Sequence, residues 1–144
     1  MTFRGSYPYA LDAKKRLNVP PRFRASFSEG VVLVKWFEPC VAVWPTAGFE
    51  TFTTGMLAGL GPLSPERAKL TRFFAGSAYD SELDAAGRVT LGPPLLEHAG
   101  IDREAVVVGN LDRLEIWSRE AWATQQEELS SAVARIAEGV GHPS

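Results

Sequence analysis

The sequence contains one pattern twice, and this repeat constrains the fold more than any other feature. The segment YPYALDAKKRLNVPPRF, residues 7–23, aligns at a constant shift of 72 with YDSELDAAGRVTLGPPL, residues 79–95. The alignment places Leu-Asp-Ala on Leu-Asp-Ala and Arg16 on Arg88. Internal repeats of this kind indicate duplicated structural units. The chain is therefore expected to contain two copies of one fold.

A second pair of segments lengthens each copy. VVLVKWFEPCVAVWP, residues 31–45, resembles AVVVGNLDRLEIWS, residues 105–118, with Trp44 and Trp117 near the two ends. These similarities divide the chain into five predicted parts. They are a first repeat at 4–46, a helical connector at 47–75, a second repeat at 76–118, a C-terminal helix at 119–138 and a tail at 139–144.

Alternating apolar residues predict the secondary structure within each copy. Tyr7, Tyr9 and Leu11 recur at every second position, as in a strand with one buried face. Asp12 and, in the second copy, Gly87 then favour a tight turn. The remainder predicts a strand, a short helix and a strand hairpin. Because domains below about 40 residues seldom fold alone, the two copies are expected to share one core.

Helical spacing marks the connector and the C-terminal segment. The connector carries four apolar residues on one helical face, Phe49, Phe52, Met56 and Leu60. Ser64-Pro65-Glu66 then has the composition of a helix start. After Ser118, an expected N-cap, an apolar stripe runs through Trp122, Leu129, Val133 and Ile136. Such a stripe is expected in the core or in a contact between subunits.

Positive charge is concentrated near the start of a slightly acidic chain. The net charge is −2, yet residues 1–24 carry +5 and the remaining 120 residues carry −7. A local basic patch on an acidic body can attract a polyanion such as DNA. A solvated face is the simpler explanation for a charge run. Residues 76–96 of the second copy carry −2, so the first copy is the expected DNA-contacting one.

Together these motifs resemble the MraZ family of bacterial transcriptional regulators, which is related to the AbrB-like swapped-hairpin proteins. The resemblance covers nearly the whole chain through FRGSY, LDAKKRLNVPPRFR, RFFAGSAY, LDAAGR and EIW. It implies a mainly β fold with flanking helices (α+β by content), in which duplicated AbrB-like units form a pseudo-symmetric double-split β-barrel. It also implies a ring-like homo-oligomer, cytoplasmic and nucleoid-associated. This oligomer would bind promoter repeats in double-stranded DNA and regulate its own cell-division and cell-wall gene cluster.

The resemblance also makes the two Asp-x-x-x-Arg turns the DNA-facing elements. Arg16 is the predicted base contact, because its planar guanidinium can bond O6 and N7 of guanine together. Asp12 and Asp84 are predicted to cap their turns, Asp12 also to orient Arg16, and Arg88 to pair internally. Lys15 stands where the family usually has glycine, so either it adopts a positive φ or the turn type differs. The predicted phosphate contacts are Lys14, Lys15, Arg4, Arg22 and Arg24.

The sequence assembles no catalytic group or metal site, so we predict neither an enzyme nor a cofactor. Cys40 lies in an apolar strand as an expected core residue, His98 is expected to be structural, and His142 lies in the tail. The four tryptophans are expected to pack rather than to stack on bases. No apolar run approaches the roughly 20 residues of a membrane span. The alternative function is an antitoxin-like or scaffold module that binds a partner protein with the same fold.

Overall fold

The computed structural model describes residues 2–141 and builds them around an open antiparallel sheet. The first half contains β1 (Ser6–Ala10), β2 (Arg16–Asn18), a 3-10 helix (Pro21–Phe27), β3 (Val31–Lys35) and β4 (Cys40–Pro45). The second half contains β5 (Ala78–Ser81), β6 (Arg88–Thr90), α3 (Pro93–Ala99), β7 (Glu104–Asn110) and β8 (Arg113–Ser118). Between the halves lie α1 (Thr46–Leu57) and α2 (Pro65–Ser77), and α4 (Arg119–Gly141) follows β8. Each half thus has the predicted order of elements, whereas the predicted domain boundaries stay predictions.

Strands from the two halves pair with each other across the molecule. Six strands form one sheet in the order β1-β7-β8-β4-β3-β5, and β2 and β6 form a separate two-stranded ribbon. Only the hairpins β3–β4 and β7–β8 join strands of one half within the described residues. The sheet and helices confirm the mixed fold class. The sheet is not closed into a barrel, since β1 and β5 form its two edges, and the double-split barrel is not confirmed.

Apolar side chains cover both faces of the six-stranded sheet. One face packs Leu33 and Val43 against Leu17 and Val89 of the ribbon, together with the 3-10 helix and α3. This cluster draws residues from both halves, which confirms the prediction of a shared core. The other face carries an aromatic cluster with Trp36, Trp44, Trp117 and Phe74, covered by α1, α2 and α4. The tryptophans therefore pack, as predicted.

The connector helices begin and end for local reasons. The Ser64 hydroxyl accepts a hydrogen bond from the Arg67 backbone N–H at 3.1 Å, and Pro65 opens α2, as the sequence predicted. Phe49, Phe52 and Met56 of α1 pack on the aromatic cluster. Gly100 ends α3 in the left-handed conformation, with φ 63°.

A buried ion pair lies beside the aromatic cluster. The Arg113 Nη2 atom is 2.9 Å from Glu115 Oε2, with side-chain exposures of 15% and 5%. The Glu115 carboxylate also accepts hydrogen bonds from Asn110 Nδ2 at 3.0 Å and Trp117 Nε1 at 3.1 Å. The Arg113 guanidinium lies 4.6 Å from the centre of a Trp36 ring. The buried charges are therefore paired, and this carboxylate is fully engaged.

The last helix is exposed along most of its length. The Ser118 hydroxyl caps it by accepting from the Ala121 N–H at 3.0 Å, and α4 continues to Gly141, past the predicted end at 138. Trp122 packs against Trp117, with ring centroids 5.8 Å apart. The rest of the stripe is exposed, at Leu129, Val133 and Ile136. It is therefore not core, and the predicted subunit contact stays a prediction. Residues 142–144 of the predicted tail, His142 among them, lie outside the described residues.

Candidate nucleic-acid interface

The two Asp-x-x-x-Arg turns are closed by the same hydrogen bonds. Asp12 Oδ1 accepts from the backbone N–H groups of Lys14 and Arg16, both at 2.9 Å. Asp84 Oδ1 accepts from the backbone N–H groups of Ala86 at 3.0 Å and Arg88 at 2.9 Å. Each carboxylate therefore holds its turn through two main-chain donors.

The second oxygen of each aspartate holds the arginine of its own turn. Arg16 Nε donates to Asp12 Oδ2 at 2.7 Å, and Arg88 Nε donates to Asp84 Oδ2 at 2.9 Å. Arg88 Nη1 also lies 3.5 Å from Asp12 Oδ2, so Arg88 is shared between two carboxylates. No hydrogen bond or ion pair between described residues uses the terminal nitrogens of Arg16. The hydrogen bond from Nε to Asp12 thus orients the Arg16 side chain, while its two terminal nitrogens stay available to bind another group.

Hydrogen bonding lowers the pKa of both aspartates. For Asp12 the largest cause is the Arg16 backbone N–H, and for Asp84 it is the Arg88 backbone N–H. A lowered pKa in the folded state stabilises the fold above the ordinary value of 3.8, and this stabilisation is lost as the pH falls through the lowered pKa. Both turns therefore hold ionised carboxylates at neutral pH.

The ribbon gathers polar residues from both halves on its outer face. Its register pairs Arg16 with Thr90, Leu17 with Val89, and Asn18 with Arg88. Leu17 and Val89 point into the core, so alternation directs the other four side chains outward. Asn18 and Thr90 were not among the predicted site residues. The alternation of the strand could have identified Asn18, because a residue two positions after Arg16 lies on the same face of the strand.

The predicted basic residues divide into separate groups. Lys14 and Lys15 are exposed in the turn that leads into Arg16. Arg22 lies elsewhere: its Nη1 donates to the Tyr7 hydroxyl at 3.3 Å, and that hydroxyl donates to the Arg4 carbonyl at 2.8 Å. Strand β1 separates Arg4 from the turn and spans roughly 13 Å at the usual rise per residue. The structure thus places Lys14 and Lys15 in one group with Arg16. Arg4 and Arg22 form a second group, connected through the Tyr7 hydroxyl.

Arg24 covers Gly87 of the second turn. Its Nε donates to the Val19 carbonyl at 2.9 Å, and its side chain occupies the space that a Cβ at Gly87 would need. Gly87 is buried and has φ +79°, whereas the matching residue of the first turn, Lys15, is exposed with φ 62°. Lys15 therefore adopts the positive φ that was one of two expectations. The first turn is open and cationic at Lys15, while the second is covered at the matching Gly87.

Replacing Lys15 by glycine is expected to stabilise the protein and to weaken DNA binding. The left-handed conformation costs a side-chain-bearing residue about 1 kcal/mol, which glycine does not pay. Urea unfolding should show this gain for Lys15→Gly. Fluorescence anisotropy should show weaker binding to all DNA sequences, with the salt dependence reduced by about one phosphate contact per turn. Lys14→Gly is the matched control, because Lys14 lacks a positive φ. Equal stability of the two variants would contradict the strain argument.

The surroundings of Cys40 and His98 fit structural rather than catalytic roles. Cys40 is buried, as predicted, and burial raises the pKa of its thiol. His98 Nε2 lies 2.9 Å from the Trp36 carbonyl and 3.1 Å from the Glu38 carbonyl, so it donates to the loop between β3 and β4. Among residues 2–141 no group of three or more His, Cys, Asp and Glu could hold a metal ion. None of the helices described there is both long and apolar enough to cross a membrane.

Comparison with known proteins gives one consistent result. A family model described as "MraZ protein, putative antitoxin-like" matches residues 2–58 and 73–138, which include both turns. Transcriptional regulator MraZ of Symbiobacterium thermophilum is 38% identical over 137 residues, covering 95% of this chain and 99% of that protein. The protein of the same name from Corynebacterium efficiens is 39% identical over 138 residues, covering 96% of each chain. The one from Micrococcus luteus is 38% identical over 139 residues, with the same coverage.

Proposed function

The chain belongs to the MraZ family, and from this premise we propose that it is a sequence-specific DNA-binding regulator of transcription. Its relatives carry the name transcriptional regulator, which supports a role in transcription. The observation that carries the DNA-binding proposal is the ribbon with its outward Arg16 and Arg88, beside the exposed Lys14 and Lys15. A two-stranded ribbon of this kind has the width to enter the major groove.

The first turn is the proposed primary contact. Residues 12–16 carry three basic residues and one acid, whereas residues 84–88 carry one of each. Lys14 and Lys15 meet phosphates, which position the protein without reading sequence. Arg16 presents its terminal nitrogens to guanine, while Arg88 is held by two carboxylates. This difference in pairing supports a larger role for the first copy in binding.

One such patch is too small for tight binding. Neutralising about three phosphates gives a log–log salt slope near −3, whereas binding at cellular salt needs more contacts. We therefore propose a ring-like homo-oligomer that presents several first turns to promoter repeats, since linked sites raise the effective concentration. The exposed stripe on α4 supports contacts between subunits. The same proposal includes a double-split β-barrel built from the two copies. It also places the protein in the cytoplasm, associated with the nucleoid. Its proposed target is the promoter of its own cell-division and cell-wall gene cluster.

A competition experiment tests this function. The purified protein is titrated against DNA from upstream of its own gene and against a shuffled duplex of equal length. Both titrations are repeated at salt concentrations from about 50 to about 200 mM. We expect the upstream DNA to bind at least about 10³-fold more tightly, and both affinities to fall steeply with salt. Sedimentation at micromolar concentration should show an oligomer. Equal affinity for both duplexes would reduce the basic turn to a charged surface and reject the proposal.

The antitoxin-like alternative also has support. The description of the family includes that term, and the stripe on α4 is an apolar surface that a partner protein could cover. An antitoxin acts by binding its partner, so substitutions on α4 would abolish that activity. Comparing Val133→Asp with Arg16→Ala distinguishes binding of a partner protein from binding of DNA. If Val133→Asp abolished the activity of the protein in cells while the protein stayed assembled, and Arg16→Ala did not, the alternative would be favoured.

A further inference from the structure

We infer that Asn18 is a second sequence-reading residue and that it recognises an adenine in the major groove, about two base pairs from the base read by Arg16. This inference rests on the proposed function. Asn18 lies two residues after the end of the Asp-x-x-x-Arg turn, in strand β2 of the ribbon. The inference therefore extends base recognition from the turn into the strand.

The position of Asn18 follows from the register of the ribbon. Asn18 pairs with Arg88 across the ribbon and follows Arg16 by two residues on the same strand. The intervening Leu17 is fully buried, which fixes the opposite face of the strand as the outer one. Asn18 therefore lies on the same outer surface as both arginines, and a duplex that meets Arg16 also meets Asn18.

The amide of Asn18 is available for recognition. The side chain is partly exposed, and no hydrogen bond of its amide is found among residues 2–141. By contrast, the two arginines beside it each donate to an aspartate. An asparagine amide matches N6 and N7 of adenine with one acceptor and one donor, which is the pairing expected for this side chain.

The strand geometry also predicts which base Asn18 reads. Residues two apart on one face of a strand are separated by about 6.6 to 6.8 Å. Successive base pairs are about 3.4 Å apart along the helix axis. If Arg16 contacts a guanine, Asn18 should therefore contact an adenine about two base pairs away.

The test compares base preferences of the full-length protein and of Asn18→Ala. Sequences are selected from a randomised duplex pool, and affinities are then measured on the best site. We expect Asn18→Ala to lose its preference at one A·T pair in each bound repeat, with about tenfold weaker binding for each engaged turn. Replacing that adenine by 7-deazaadenine removes the N7 acceptor. This replacement should weaken binding of the unmodified protein and leave Asn18→Ala unaffected.

Lys14→Ala is the matched control, because it removes a neighbouring side chain that reads no base. It should weaken binding to all sequences equally and lower the salt slope, whereas Asn18→Ala should leave the salt slope and nonspecific affinity unchanged. If the unmodified protein is selective and Asn18→Ala keeps every base preference, the inference about Asn18 is wrong while the proposed function stands. If the unmodified protein selects no sequence, both are rejected.

Discussion

Arg16→Ala is expected to abolish selective DNA binding while leaving the protein folded and assembled. A bidentate arginine–guanine contact contributes about 1 to 3 kcal/mol, which corresponds to roughly 5- to 150-fold in affinity for each engaged turn. In an oligomer that engages two or more turns these factors multiply, so the operator complex should fall to the level of nonspecific DNA. The measurement is fluorescence anisotropy with operator and shuffled duplexes at fixed salt.

Two further variants make the Arg16 prediction specific. Arg88→Ala should have a smaller effect, since Asp84 and Asp12 both hold Arg88 within the protein. Arg72→Ala removes an equal charge from exposed surface on α2, away from the ribbon, and should leave operator binding unchanged. If Arg88→Ala abolished binding and Arg16→Ala did not, the roles assigned to the two copies would be reversed.

Glu115→Ala is expected to destabilise the fold by about 3 kcal/mol. Removal of one partner of a buried ion pair leaves the other charge poorly compensated in a poorly solvated site. Here Arg113 loses its buried partner and keeps the 3.3 Å contact of its Nη1 atom with the exposed Asp112 carboxylate. Asn110 and Trp117 also lose their acceptor. Urea unfolding followed by tryptophan fluorescence should show the lower stability, and binding should be retained where the protein is folded.

A double variant distinguishes the buried charge from the packing around it. Arg113→Met combined with Glu115→Leu replaces both charges by apolar groups of similar size, so no buried charge is left unpaired. Asn110 and Trp117 still lose their acceptor. We expect the double variant to lose less stability than the single variants Arg113→Met and Glu115→Leu lose together, with a coupling energy of about 1 to 3 kcal/mol between the two positions. A double variant whose loss equals the sum of the single losses would show that the two charges do not interact.

Features encoded within a few residues could be predicted from the sequence. The helix start at Ser64 follows from a hydroxyl that accepts an N–H bond three residues later. The buried strands β3 and β4 follow from their apolar runs, and the turn at Asp12 follows from an aspartate that bonds the next main-chain groups. In each of these cases the cause and the structure lie within one segment of the chain.

Features that depend on contacts between the copies could not be predicted in this way. The ribbon joins two strands of three residues from different halves, and nothing in either strand specifies its partner. The cover of Arg24 over Gly87 requires that same pairing, so Arg24 resembled an exposed cation in the sequence. The stripe on α4 has the periodicity of a core helix, yet residues 2–141 supply no second surface that buries Leu129 or Val133.

The pairing of β1 with β7 delays completion of the sheet until β7 has been synthesised. Tyr9 lies opposite Ala105, so β1 leaves the ribosome long before its neighbour has been made. At usual rates of translation this interval lasts roughly 5 to 20 s, and long-range pairing of this kind also folds slowly. The nascent first half therefore carries an unpaired strand throughout this interval. A chain terminated before β7 should require a chaperone to stay unaggregated.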